Sequence, residues 1–421
     1  MLKASALYIV IILALVIAII CSSLIVSAYF YKLQYQKKFR YDVLESNLSS
    51  GVNILLTSED APYLQEKPLS LFNSDADSIS LKKLPWGVFD IGVVKAFIQK
   101  DTLYKVFSLA NTIDSTKWSA LYLIDEDRPL SVSGKTMIKG DAYIPKAGIK
   151  PAYVDNKAYE GDKRLIIGNQ HNSEKKLPAL NPDRLAQLRN YLDNHIQGDS
   201  ALSNADSIHQ SFLLPARIIA FKKKVQIIKN VALSGNIVLL SDTSITIDSS
   251  AVLNNVMIFA KSIKVNDGFH GNCQLFAVDS ITAGQRCRFD YPSCMGVMRF
   301  TPQVVRSSAK IKIGDHTLFN GIIFTYEKTT NELQPLIEIG KNVRVAGQIY
   351  SQGLLKFTDD SEIDGNVTTS RFIHQNTITI FENYLINIKL NSLALSPYYL
   401  TSELMPVTAK KKKIMQWLET N

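Results

Sequence analysis

Four cysteines in 421 residues are too few to knit a fold together, and none stands in a C-x-x-C pair. A zinc ribbon and a thioredoxin-type redox motif are therefore not written here. No phosphate-cradling glycine loop and no nucleophile–base motif occurs. The six histidines are scattered, and the consecutive carboxylates Asp125, Glu126 and Asp127 lack the oxygen-ligand spacing of a calcium loop. Charged residues make up only 20% against 46% hydrophobic, which excludes bulk disorder. The net charge of +9 carries no broad basic face. Lys32, Lys37, Lys38 and Arg40 cluster beside the apolar amino-terminal stretch, and Lys410–Lys413 lie near the other end. No nucleic-acid partner is expected from that distribution. Neither a cofactor nor a metal is called for, and the chain reads as non-enzymatic.

What is present begins with an anchor. Ala4 to Phe30 holds no charge, long enough to cross a bilayer, which takes about 20 apolar residues. The lipid bilayer is thus the first expected partner. A cleaved signal peptide is the competing reading, with Val26-Ser-Ala28 as its small-residue site. Beyond the span, Tyr41, Leu44, Leu48, Val52 and Leu55 follow spacings of three and four, predicting that the helix continues to about residue 57. That stripe packs either on the chain's own soluble part or on another protein's helix. Basic residues after the span keep the body in the cytoplasm if the positive-inside rule is read literally.

The rest is organised by a glycine phrase. It reads Val132-Ser-Gly134, Ile138-Lys-Gly140, Leu233-Ser-Gly235, Phe319-Asn-Gly321, Val345-Ala-Gly347 and Ile363-Asp-Gly365. Ser244-Ile245, Ser262-Ile263 and Ser280-Ile281 recur at steps of eighteen. Short alternating strands at such a step predict a mainly β fold whose body is a single-stranded β-helix, or β-solenoid. Four segments are expected: a transmembrane helix and stalk (1–57), a linker and small β-rich part (58–127), the solenoid (128–375) and carboxy-terminal strands with a solvated basic tail (376–421). The hexads from Leu130 to Ile149 are expected to open the solenoid. One short helix is inserted near 181–197, with Asn181 as its cap and Pro182 in its first turn. Cys273, Cys287 and Cys294 cluster in an irregular stretch and are open to one disulfide in an oxidising compartment. Arg286, Arg288 and Asp290 alternate and are expected to share one strand face.

Two resemblances attach to these residues. Lys3-Ala-Ser-Ala-Leu7, the apolar run and its amphipathic continuation resemble the amino terminus of minor pilins and pseudopilins of the PilX or GspK type, with Ala4 where prepilins carry glycine. Ile339 to Tyr350 and Ile363 to Val367 resemble bactofilins. The first resemblance implies a pilin-like assembly component of a bacterial envelope, with partners among other envelope or filament proteins and the body outside the cytoplasm. The second implies a membrane-tethered cytoskeletal scaffold inside it. A carbohydrate-binding or carbohydrate-cleaving β-helix is a third reading.

Overall fold

The computed structural model describes residues 2–58, 63–71, 78–193, 207–221, 223–301, 307–329 and 332–420. The chain is mainly β, with one long apolar helix, α1 (Leu2–Thr57), and one short helix, α2 (Pro182–Asp193). The expected helical residues 194–197 and much of the expected linker lie outside the described residues. Two units divide the chain: Met1–Leu84, Gly92–Phe107 and Trp417–Asn421 form one, Pro85–Ile91 and Ser108–Gln416 the other.

In the first unit the second half of α1 lies on strands. Gly51 marks the approach, because a Cβ there would stand 2.6 Å from Val94 Cγ1 and 3.1 Å from Leu81 Cδ2. The five-stranded sheet runs in the order Lys67–Ser70, Ser78–Trp86, Phe89–Ile98, Asp101–Ile113, Thr408–Thr420, and several of its strands continue into the second unit. The last strand corrects the expectation of a solvated basic tail. Lys410–Lys413 sit on a strand, on which Lys410, Lys411 and Lys413 are exposed while Lys412 and Ile414 are half-buried.

The second unit is a stack of parallel strands. Ala232–Ile247 pairs with Val252–Val265, and that with His270–Ala283, all in parallel. The eighteen-residue step is the register itself: Ser244, Ser262 and Ser280 stand opposite one another, as do Ile245, Ile263 and Ile281. The column continues through Ile311, Ile337, Leu355 and Phe372, all buried. Phe269, Phe289 and Phe319 form another, with ring centroids 5.4 and 5.5 Å apart. Like side chains stacked level on level form one continuous apolar core.

The glycine phrase is explained by the same register. Gly321, Gly347 and Gly365 stand opposite one another, with φ of 145°, 147° and 150°. A Cβ on Gly347 would come 1.9 Å from the carbonyl oxygen of Gly321, so only glycine lets successive levels meet at this corner.

Stacking order departs from sequence order. Val132, Ile138 and Ile144 do lie on three successive sides of one level, six residues to a side. That level does not open the stack. Leu121–Leu123 pairs with Val367–Thr369, Lys389–Asn391 with both Glu362–Ile363 and Met137–Lys139, and Tyr384–Ile386 with Ser131–Ser133. One level is therefore spliced from residues 121–123 and 384–391, and residues 130–172 lie beyond it. A closed parallel ring of six strands lies higher in the stack, where His270–Ala283, Arg288–Arg299, Leu318–Glu327, Arg344–Phe357, Leu336–Ile339 and Lys310–Ile313 pair in turn and return to the first. The stack is entered from the opposite side at Ser207–Gln210, which pairs with Ala232–Gly235. Hexad spacing gives a local repeat but carries no information on which distant segment lies beneath.

Outward residues on one side of the stack are buried as well. Phe259 stacks on Phe276 at 4.8 Å, and Tyr191 of α2 covers Phe259 at 4.8 Å. The cap of α2 is as expected: Asn181 Oδ1 accepts from the amide of Asp183 at 2.9 Å. Leu185 and Leu188 are buried, and Leu192 is half-buried.

Candidate functional site

The feature with the plainest functional content is α1, whose two halves behave differently. From Ala6 to Phe39 every residue is exposed. This helix is long and apolar enough to cross a membrane. At 1.5 Å per residue, Ala6 to Tyr29 spans about 36 Å, enough for a hydrocarbon core of about 30 Å. Tyr29, Phe30 and Tyr31 close the span and the cations from Lys32 to Arg40 follow it. The change of regime comes at Arg40, whose Nε donates to Asp101 Oδ2 at 2.8 Å, and at Glu45, 3.5 Å from Lys105 Nζ.

The stripe expected as a helix seam lies in the second half. Leu44, Leu48, Val52 and Leu55 are buried, at most 6% exposed, while Tyr41 is 49% exposed. The chain's own strands take this apolar face, so the seam is filled from within. A partner helix would have to meet α1 ahead of residue 40.

Cys273, Cys287 and Cys294 are buried free thiols, not a disulfide. Geometry explains this. Cys273 belongs to the interior and Cys294, opposite Gln274, faces the outer side, so their Cβ atoms diverge. Cys287 stands at the level of Phe269, four positions along the chain from Cys273, and its Sγ donates to Asn266 O at 3.3 Å. Burial pushes the Cys273 thiol up to about 12 and the Cys294 thiol well above the ordinary range.

Arg288 and Asp290 come together, and Arg286 does not join them. Asp290 Oδ1 accepts from Arg288 Nε at 2.9 Å and Oδ2 lies 2.6 Å from His270 Nε2. Partial burial raises the Asp290 carboxyl, but the bonds from Arg288 and His270 outweigh it and hold it below its usual range. Arg286 sits instead in the preceding turn at φ 53°, which removes it from the alternation. His270 and Arg288 are 60% and 59% exposed, so this is a solvated ion cluster. The acidic trio disperses: Asp125 caps its own turn, Glu126 takes Arg371 in a two-pronged pair, and Asp127 meets Lys175. Among the described residues no group of three His, Cys, Asp or Glu could hold a metal ion.

One cluster was not visible in the sequence. Arg184 of α2 is 4% exposed; it donates to Phe89 O at 3.0 Å and to Asp90 at 2.9 Å, and lies 3.3 Å from Glu403. Lys412 completes the chain at 2.9 Å from Glu403. The only local signal was a charged residue beside the apolar stripe of a capped helix. Its partners lie 94 and 219 residues away.

With this geometry in place, comparison with known proteins adds little. No family model matches, and no curated protein matches. Among solved structures the chain is similar to the crystal structure of competence-associated pilin ComZ from Thermus thermophilus. Identity is 9%, coverage is 85% of this chain and 86% of that chain, and the TM-score is 0.19. A similarity at that level carries no argument about fold or function.

Proposed function

We propose that the chain is a non-enzymatic, membrane-anchored structural component of a bacterial envelope, pilin-like in its architecture, with a β-solenoid body held outside the cytoplasm. The observation that carries this reading is the division of α1 into a free apolar half and a half packed on its own strands. Such a helix sits in the inner membrane as a single span and holds its body on a stiff stalk. Its free half is also a surface for other apolar helices, so the partners are the bilayer and envelope or filament proteins that share it. The parallel ladders and their columns of like residues support the solenoid.

A second reading is favoured by one specific observation. Among the described residues, the strands Ile149–Pro151, Ile166–Ile167 and Gln170–Asn172 have ladder partners on one side only. Open edges of that kind fit a bactofilin-like scaffold in the cytoplasm. Fusing reporters active on only one side of the membrane to the carboxy terminus separates the two. An external body, with photo-crosslinks from Val16 or Leu24 to other membrane proteins, is the expected result. A cytoplasmic body would overturn the pilin-like reading.

A further inference from the structure

One long polar groove, of about 820 Å³, runs across the stack beside a column of turns. Gly284, Gly314 and Gly340 leave its floor as bare backbone. Its wall is the outward column Lys264, Thr282, Lys312, Glu338, Lys356, one residue per level. Levels are about 4.8 Å apart, so the lysines, which occupy alternate levels, repeat at about 9.6 Å. Lys264 and Lys312 make no ion pair with a described residue, while Glu338 is met by Lys310 at 2.8 Å and by Lys356 at 4.0 Å.

Carboxylates line the other side. Asp267 Oδ1 accepts from the Gln285 amide and Asp315 Oδ1 from the Lys341 amide, both at 2.8 Å, leaving the second oxygen of each to accept a hydroxyl hydrogen.

We propose that this groove binds a linear acidic polysaccharide carrying one carboxylate per disaccharide. The spacing of the lysines matches an extended chain with an anion on every second sugar, and the intervening hydroxyls find the aspartates. A uniform polyanion, such as a nucleic acid, would bring its charges against Asp267 and Asp315. An extended peptide would find neither a free strand edge nor apolar pockets there.

The test uses the full chain in detergent, with hyaluronan immobilised as the alternating-uronate probe, dextran as the neutral one and poly-glutamate as the non-sugar polyanion. Hyaluronan should retain the protein at low salt and release it near 0.5 M, where screening is short. Lys264→Gln with Lys312→Gln should weaken retention about tenfold, through two lost charge-assisted contacts. These side chains are exposed, so circular dichroism should be unchanged. Lys146→Gln with Lys150→Gln, outside the groove, should have no effect. The proposal fails if hyaluronan does not retain the protein, or if the groove pair and the outside pair act alike. Equal binding of poly-glutamate or dextran would also overturn it. None of these results depends on which side of the membrane the body occupies.

Discussion

Gly347→Ala is the sharpest probe of how the stack is built. The new methyl would meet the Gly321 carbonyl oxygen at 1.9 Å and its carbon at 2.9 Å, with Tyr399 Oη at 3.1 Å. Two of those atoms are backbone in a ladder and cannot swing aside. Alanine must also adopt φ near 147°, a region that costs about 1–3 kcal/mol for a residue with a side chain. Forcing an extra carbon into a packed interior costs about 1–3 kcal/mol more, for a total of roughly 2–6 kcal/mol. Gly268→Asn is the matched control. Its φ is +75° and a Cβ there meets nothing within 4 Å. The equivalent turn position is held by Arg286, His316, Asn342 and Asp360 at successive levels, all at positive φ. Asparagine tolerates that conformation, so the change should stay within about 0.5 kcal/mol. Thermal unfolding of the full chain in detergent, followed by far-ultraviolet circular dichroism, gives the comparison. If Gly347→Ala melts with the parent, or Gly268→Asn falls as far as Gly347→Ala, the close-approach account of the corner is refuted.

Three further outcomes are expected. Arg184→Met removes the buried guanidinium that Asp90 and Glu403 share, while Lys412 stays on Glu403, and should cost about 1–3 kcal/mol in the same melt; no loss would mean that the cluster does not clamp α2. In a Cys21→Ser background at pH about 8, a maleimide should leave Cys273, Cys287 and Cys294 unmodified until denaturant is added, because burial suppresses the thiolate; mass spectrometry of the native protein showing rapid labelling, or a disulfide, would contradict the free buried thiols. The hydrogen bonds from Asn376 and His374 hold the Asp155 carboxyl below 3.8. The stability it contributes is therefore complete above that unfolded value and is lost as pH falls through the lower folded one. Asp155→Asn should melt lower than the parent near neutral pH and converge with it in acid, and parallel curves would rule this linkage out.

Much of the body was legible because its code is periodic. Stacked levels require like residues opposite like, so Ser244, Ser262 and Ser280 announce their own register, and Gly347 and Gly365 announce a shared corner. The helix was legible for the same reason, through the stripe from Leu44 to Leu55. What covers that stripe was not, since Ile79, Leu81 and Val94 carry no mark that distinguishes them from any other strand. The irregular middle was misread locally: Arg286 looks like a strand residue but occupies a left-handed turn, which alternation cannot reveal. The Arg184 cluster and the placement of Lys410–Lys413 depend on pairings across hundreds of residues, where charge alone names no partner.

The spliced level sets a constraint on the order of events during synthesis. Leu121 is paired with Val367, 246 residues later. At about 5–20 residues per second a ribosome needs roughly 12–50 s to cover that interval. Residues 121–172 therefore emerge with a hydrophobic surface whose foundation has not been made. Their strands can pair among themselves, but the face that rests on the strand Glu362–Gln375 stays uncovered until that strand appears beneath it.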